Sequence, residues 1–189
     1  GKFGPDKHLI ITGGEPLLGW QRAYTNLFDE FAARNMNLTH VTFETNGTQP
    51  LSDELATYLD DWLWEAALGE KTGYTFDRMI TFSVSPKLSA SGEAWEEAIR
   101  PEVVRMYQDY GFTYLKFVVE TEQHFQEVDR AVGQYRAMGF TGPVFVMPQG
   151  GVVTPYAENR VKVADWALTR GYNYSPRLHV DLWGNGWGK

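Results

Sequence analysis

The feature that most constrains this chain is a rhythm: short apolar runs alternate with longer amphipathic stretches along its whole length. The runs cover residues 8–12, 40–45, 79–84, 114–119, 144–147 and 178–182, and are rich in Val, Ile, Phe and Leu. Several are continuously apolar, as strands buried in a parallel sheet tend to be. The stretches between them, 20–34, 52–68, 93–110, 122–138 and 155–170, read as helices. In the fourth, Phe125, Val128, Val132 and Tyr135 recur at three- and four-residue steps and make one apolar face. Gly111, Gly139 and Gly171 fall just past helical stretches, where a left-handed C-cap is expected. This alternation predicts an α/β fold with a parallel sheet. No internal repeat, low-complexity tract or long linker interrupts it, so residues 1–189 read as a single domain.

Charge and cysteine usage narrow the function. With 17 Lys and Arg against 24 Asp and Glu, the formal net charge is −7, and no basic block stands out. That is not the electrostatic footprint of a nucleic-acid binder, so a small-molecule ligand is favoured. No apolar run reaches the ~18–20 residues a membrane span needs, and no signal peptide opens the chain, so a soluble, cytoplasmic protein is expected. There is no cysteine. Disulfides, zinc–thiolate sites and the usual ligation of an iron–sulfur cluster are therefore outside the reach of these residues. The chain opens on Gly1-Lys2 and runs almost directly into a strand, so an upstream segment is expected to be missing.

Parallel α/β folds place their chemistry in the loops after the carboxyl ends of the strands. The first run ends in Thr12-Gly13-Gly14-Glu15-Pro16, a tight turn opening a helix, with glycines that let a ligand approach the backbone. It reads equally as a plain strand-to-helix turn whose Glu15 complements the helix dipole. The second ends in Glu44-Thr45-Asn46-Gly47-Thr48, where Asn46-Gly47 marks a turn and Glu44 must face water, a partner or a ligand. The third ends in Ser85-Pro86-Lys87-Leu88-Ser89, which suits a ligand bearing hydroxyls and a carboxylate, or a solvated loop. The fifth ends in Met147-Pro148-Gln149-Gly150-Gly151-Val152, where a flat ring can lie on backbone amides or the chain can simply turn. On the last run Arg177, His179 and Asp181 share one strand face, with Leu178, Val180 and Leu182 on the other. A lone His there is more often structural than catalytic. Lys116, inside an otherwise apolar run, either snorkels from an edge or reaches into a pocket.

The order of these motifs carries a resemblance. A GGEP turn, then ETNGT, then SPKLSASG, then Pro-Gln-Gly-Gly, then Leu-His ahead of Trp-Gly, is similar to the 7-carboxy-7-deazaguanine synthases of the radical S-adenosylmethionine superfamily, from Ile11 to Gly184. GGEP fixes only the superfamily, whereas ETNGT with SPKLSASG is more specific. The resemblance implies a partial (β/α) barrel of the radical S-adenosylmethionine type, with the first strand and cluster loop missing. It implies a lyase that uses S-adenosylmethionine, a 4Fe–4S cluster and Mg²⁺ to convert 6-carboxy-5,6,7,8-tetrahydropterin to 7-carboxy-7-deazaguanine, on the route to queuosine and other deazapurines. A homodimer is a further implication.

By the same resemblance, Gly14 and Glu15 hold the amino-acid end of S-adenosylmethionine. Ser85, Pro86 and Lys87 touch its ribose and carboxylate, and Gln149, Gly150, Gly151 and Val152 line its adenine. Thr12, Glu44 and His179 face the pterin, with Asn46 and Lys116 as further members. No residue is assigned as catalytic and none as a metal ligand. The family's three cluster cysteines and the Thr that helps bind Mg²⁺ have no counterpart in this sequence, so the chain alone is expected to be inactive. Whether Lys189 in the C-terminal tail reaches the substrate is open. Two alternatives remain: another radical S-adenosylmethionine enzyme of the glycyl-radical-activase type, and a cluster-free protein that binds a nucleoside or pterin without catalysis.

Overall fold

A computed structural model describes residues 6–34, 36–72, 78–150 and 153–184. Five long strands alternate with helices, starting with β1 (Asp6–Ile11), α1 (Gln21–Ala33), β2 (Asn37–Thr45), α2 (Asp53–Thr72) and β3 (Met79–Val84). There follow α3 (Trp95–Ala98), α4 (Pro101–Tyr110), β4 (Phe112–Val119), α5 (Glu122–Ala137), β5 (Val144–Pro148), α6 (Val153–Arg170), β6 (Asn173–Tyr174) and α7 (Leu178–Trp183). All neighbours in the sheet pair in parallel, in the order β1-β2-β3-β4-β5-β6. Sequential order is decisive for architecture. Right-handed crossovers between successive neighbours place every connecting helix on the same side of the sheet. The contacts agree, since α1 packs on α2, α2 on α4 and α4 on α5, a single helical layer. The result is an open arc of a (β/α) barrel, with β1 at one edge, and not a doubly wound sheet.

The strands show which face is which. In β4 Thr113, Leu115, Phe117 and Val119 are buried under the helices, while Phe112 and Val118 on the alternate positions are exposed. Phe43, Phe82 and Tyr107 stack in series with centroids 5.5 and 4.5 Å apart, tying β2 and β3 to α4. Fully burying side chains of this size contributes about 1.5–3 kcal/mol each. The opposite, concave face is more polar along β2 and β3, with His40, Thr42, Glu44, Thr81 and Ser83 on alternate positions. Strand alternation thus gives the core to one side and a more polar face to the other.

Three expectations from sequence are corrected here. The run 178–182 is helix, not strand: α7 packs only Val180 into the core and leaves Leu178 and Leu182 exposed. Six residues of alternating character are too few to separate the two periods, and Ser175-Pro176 ends the short β6 before it can continue. The stretch 93–110 is two helices, because Pro101 at the first turn of α4 forces Arg100 out of helical geometry, with φ −119° and ψ 80°. Gly139 and Gly171 take the expected positive φ, but Gly111 is extended. Its lack of a side chain has another cause, since a Cβ there would come within 2.4 Å of the Ile80 carbonyl oxygen.

Candidate functional site at the strand mouths

The carboxyl ends of β1 to β4 open into one cleft of about 220 Å³, lined by Thr12, Gly14, Glu44, Thr45, Asn46, Ser83, Ser85, Lys87 and Lys116. Parallel strands in sequential order bring these distant residues together without any long-range design beyond the sheet itself. Five of the residues expected from sequence, Thr12, Gly14, Glu44, Ser85 and Lys87, converge here, together with Asn46 and Lys116. The Thr12 hydroxyl donates to Glu44 Oε2 at 2.9 Å across β1 and β2, which aims the carboxylate along the cleft. Gly13 and Gly14 have positive φ, and a Cβ at either would meet nothing within 4 Å, so this turn leaves open space beside the backbone.

Glu15 does not line the cleft; it fastens the loops that do. Its Oε1 accepts from the Leu17 N–H at 3.0 Å and the Thr45 hydroxyl at 2.7 Å. Its Oε2 accepts from the Asn46 N–H at 2.6 Å. One carboxylate therefore ties the turn after β1 to the end of β2. Asn46 in turn closes its own loop, its Oδ1 accepting from the Thr48 N–H at 2.9 Å and hydroxyl at 2.7 Å.

The third loop is fastened from the helical layer. The Ser85 N–H donates to the Thr45 carbonyl at 2.8 Å and its hydroxyl to the Lys116 carbonyl at 3.0 Å, so Ser85 bridges the ends of β2 and β4. Pro86 is buried beside it. Two residues beyond Lys87, Ser89 gives its N–H to Glu127 Oε2 at 3.1 Å and its hydroxyl to Oε1 at 2.5 Å. Burial opposes the charge on Glu127, but the hydrogen bonds from Ser89 and Gln123 and the nearby His124 together outweigh it and hold the carboxyl below its ordinary value. Lys87 itself is exposed at the rim.

Other expected residues lie elsewhere. Gln149 and Gly150 follow β5, where the Gln149 N–H donates to the Val119 carbonyl at 2.8 Å and extends the sheet. Gly150 has φ +136°, and a Cβ there would sit 3.0 Å from the Tyr156 backbone nitrogen, so helix approach alone demands glycine. Neither lines the cleft. Gly151, Val152 and Lys189 fall outside the described residues. His179 is exposed on α7 and is not brought to the cleft. Its neighbour Asp181 anchors that helix, accepting from the Tyr156 hydroxyl and from Arg160, both at 3.0 Å.

Thr45 and Ser83 are the cleft residues that reading the sequence did not assign. The signal was available: Thr81, Ser83 and Ser85 put hydroxyls on every second residue of a strand whose other face is apolar. Among the described residues no group of three or more His, Cys, Asp or Glu could hold a metal ion. With no cysteine in the chain, its own residues do not fit an iron–sulfur cluster. No helix among the described residues is long and apolar enough to cross a membrane.

A sequentially ordered parallel sheet and one helical layer, with a polar cleft at the strand mouths, define a protein of the (β/α)-barrel class. No family profile matches the chain. It is 32% identical over 183 residues to the 7-carboxy-7-deazaguanine synthase of Pyrobaculum aerophilum, covering 96% of this chain and 68% of that protein. The same-named protein of Halobacterium salinarum is 32% identical over 183 residues, covering 93% and 65%. That of Rhodopirellula baltica is 28% identical over 193 residues, covering 95% and 62%. The chain belongs to the 7-carboxy-7-deazaguanine synthase family, and it spans about two thirds of the length of these relatives.

Proposed function

We propose that the cleft binds S-adenosylmethionine and a carboxylated pterin or its deazaguanine product, as the site half of a 7-carboxy-7-deazaguanine synthase. The observation that carries this is the convergence of Thr12, Glu44, Ser85 and Lys87 from three successive strand mouths in a chain whose relatives bear that name. The reaction is the conversion of 6-carboxy-5,6,7,8-tetrahydropterin to 7-carboxy-7-deazaguanine, a carbon–nitrogen lyase step with S-adenosylmethionine, a 4Fe–4S cluster and Mg²⁺ as cofactors.

Within that reading, Glu44 accepts ring N–H donors of the substrate while Thr12 orients it. Gly14 leaves backbone free for the amino-acid end of S-adenosylmethionine, with Glu15 locking the loop behind it. Lys87 pairs with the cofactor's carboxylate and Ser85 faces its ribose. Gln149 and Gly150, further round the sheet, meet its adenine. The residues of this chain bind and orient; its lack of thiolates supports a second reading, in which the chain by itself binds these ligands without turning them over.

Calorimetric titration of the chain with 7-carboxy-7-deazaguanine and with S-adenosylmethionine tests the proposal. Both bind saturably, and Glu44→Gln weakens the deazaguanine by about ten- to a hundredfold, because a donor then meets the ring's donors and a charge-assisted bond worth about 1.5–3 kcal/mol is lost. Equal affinity in Glu44→Gln contradicts the assignment.

A further inference from the structure

The amino half of the concave face carries two histidines in one stack. His8 on β1 and His40 on β2 are partners in the strand register, and their rings lie parallel, with centroids 3.9 Å apart and planes inclined by 4°. Each ring also reaches the next strand. His8 Nε2 shares a hydrogen bond with the Thr42 hydroxyl at 2.9 Å, and His40 Nε2 one with the Thr81 hydroxyl at 2.8 Å. Two rings and two hydroxyls thus stitch β1, β2 and β3 side by side. Ser83, the next hydroxyl along β3, meets no partner among the described residues, and the row ends there.

The stack sits where the sheet is least secured. β1 is an edge strand and pairs only with β2. The register slips between Lys7 and His8, so regular pairing begins at His8. Past its carboxyl end, Glu15 ties the following turn to Thr45 and Asn46. Its amino end has the stack and one long hydrogen bond, from the Thr39 hydroxyl to the Lys7 carbonyl at 3.3 Å. Thr12, one residue past β1, is a wall of the cleft.

A first proton leaves the threonine bonds intact, because an imidazolium still donates from Nε2. A second sets two like charges at ring-contact distance. Little nearby offsets them. On this face β3 presents Met79, Thr81 and Ser83, none of them charged, and Glu44 stands four residues beyond His40 with the Thr12 hydroxyl on it. Asp6 and Lys7 precede His8 at the irregular pairing. No ion pair among the described residues includes either ring. Burial first, and the charge of His8 second, hold His40 below its ordinary value.

We propose that the His8–His40 stack is a proton-sensitive latch on the edge strand: with at most one proton it holds β1 on β2, and with two it releases β1 and the Thr12 wall of the cleft. Opening moves both imidazoles into water, where they protonate near pH 6.5. Below that value each pH unit favours the open edge by up to about tenfold.

Native-state hydrogen exchange of the full chain, read by NMR at about pH 7.5 and about pH 5 and corrected for intrinsic rates, tests this. Protection of the β1 amides bonded to β2 falls by about ten- to thirtyfold, the loss that one refused proton gives over about 1.5 pH units. Amides of β4, at the centre of the sheet, change by less than about threefold. His40→Gln removes the refused proton and brings the fall in β1 below about threefold. His8→Phe keeps a ring in the stack without its charge, so burial alone acts and the fall shrinks to about a third of the parent's or less. A β1 edge equally protected at both pH values overturns the latch, as does a fall that runs equally through β4. A fall in either variant as large as the parent's overturns it too.

Discussion

Replacing Glu15 by Gln separates a clamp from a ligand contact. In the folded chain Oε1 accepts two protons, from Leu17 N–H and the Thr45 hydroxyl, and Oε2 accepts one from Asn46 N–H. The glutamine amide retains one acceptor oxygen, which best serves the pair at Oε1. Its NH₂ then faces the Asn46 N–H, donor against donor. One short charge-assisted bond worth about 1.5–3 kcal/mol is lost, and the two that survive weaken because the charge is gone. A net cost of about 2–4 kcal/mol follows from those bond values. At roughly 2–4 °C per kcal/mol for a domain of this size, the midpoint falls by about 5–15 °C. Differential scanning calorimetry of the ligand-free protein reads this directly, with urea unfolding to check that the slope is unchanged. A residue that only touches S-adenosylmethionine leaves the free protein's stability intact. A midpoint within about a degree of the parent, far less than the shift expected above, with a selective loss of S-adenosylmethionine affinity, refutes the clamp.

Three further outcomes follow from the same geometry. Burial and its partner His8 lower the pKa of His40, and the two rings stack with centroids 3.9 Å apart. The folded state thus favours neutral His40, so its contribution is full above the ordinary value near 6.5 and is lost as pH falls through the lowered one; the thermal midpoint of the parent should drop more steeply below pH 6.5 than that of His40→Gln, and parallel curves contradict this. Glu127→Ala frees Ser89 and with it the loop bearing Lys87, so S-adenosylmethionine binding should weaken by about three- to tenfold, the scale of one lost charge-assisted bond; unchanged affinity shows the tether to be idle. Anaerobic reconstitution with iron and sulfide should leave no protein-bound cluster after desalting, and a stoichiometric, stable cluster would defeat that expectation.

The strands were legible wherever burial on both faces or a clear turn marked them. Met79–Val84 ends where the apolar run ends, and the other long strands gain one to three residues at their edges. The cleft was legible because parallel strands force chemistry to their mouths, and the family resemblance then singled out Thr12, Glu44 and Lys87 at those mouths, which the fold brings together. What failed was local ambiguity. In 178–182 period two and period 3.6 fit equally well, and the packing of Tyr156 and Arg160 on Asp181 decides for helix. The clamp made by Glu15 was not legible, because two of its three partners, Thr45 and Asn46, lie 30 and 31 residues away, a closeness no sequence pattern announces. Ser83 passed unassigned because one serine in an apolar strand has meaning only after its neighbours' partners are known.

The central claim is that the ring ligand lies between β2 and β4 at the strand mouths. A crystal structure of the chain grown with 7-carboxy-7-deazaguanine tests it most directly. The account predicts the ring in the cleft, with its N–H edge within hydrogen-bond distance of Glu44. A ring seated elsewhere, for example in the open groove lined by Trp95, Arg100 and Arg130 on the helical side, with the cleft empty, would contradict it.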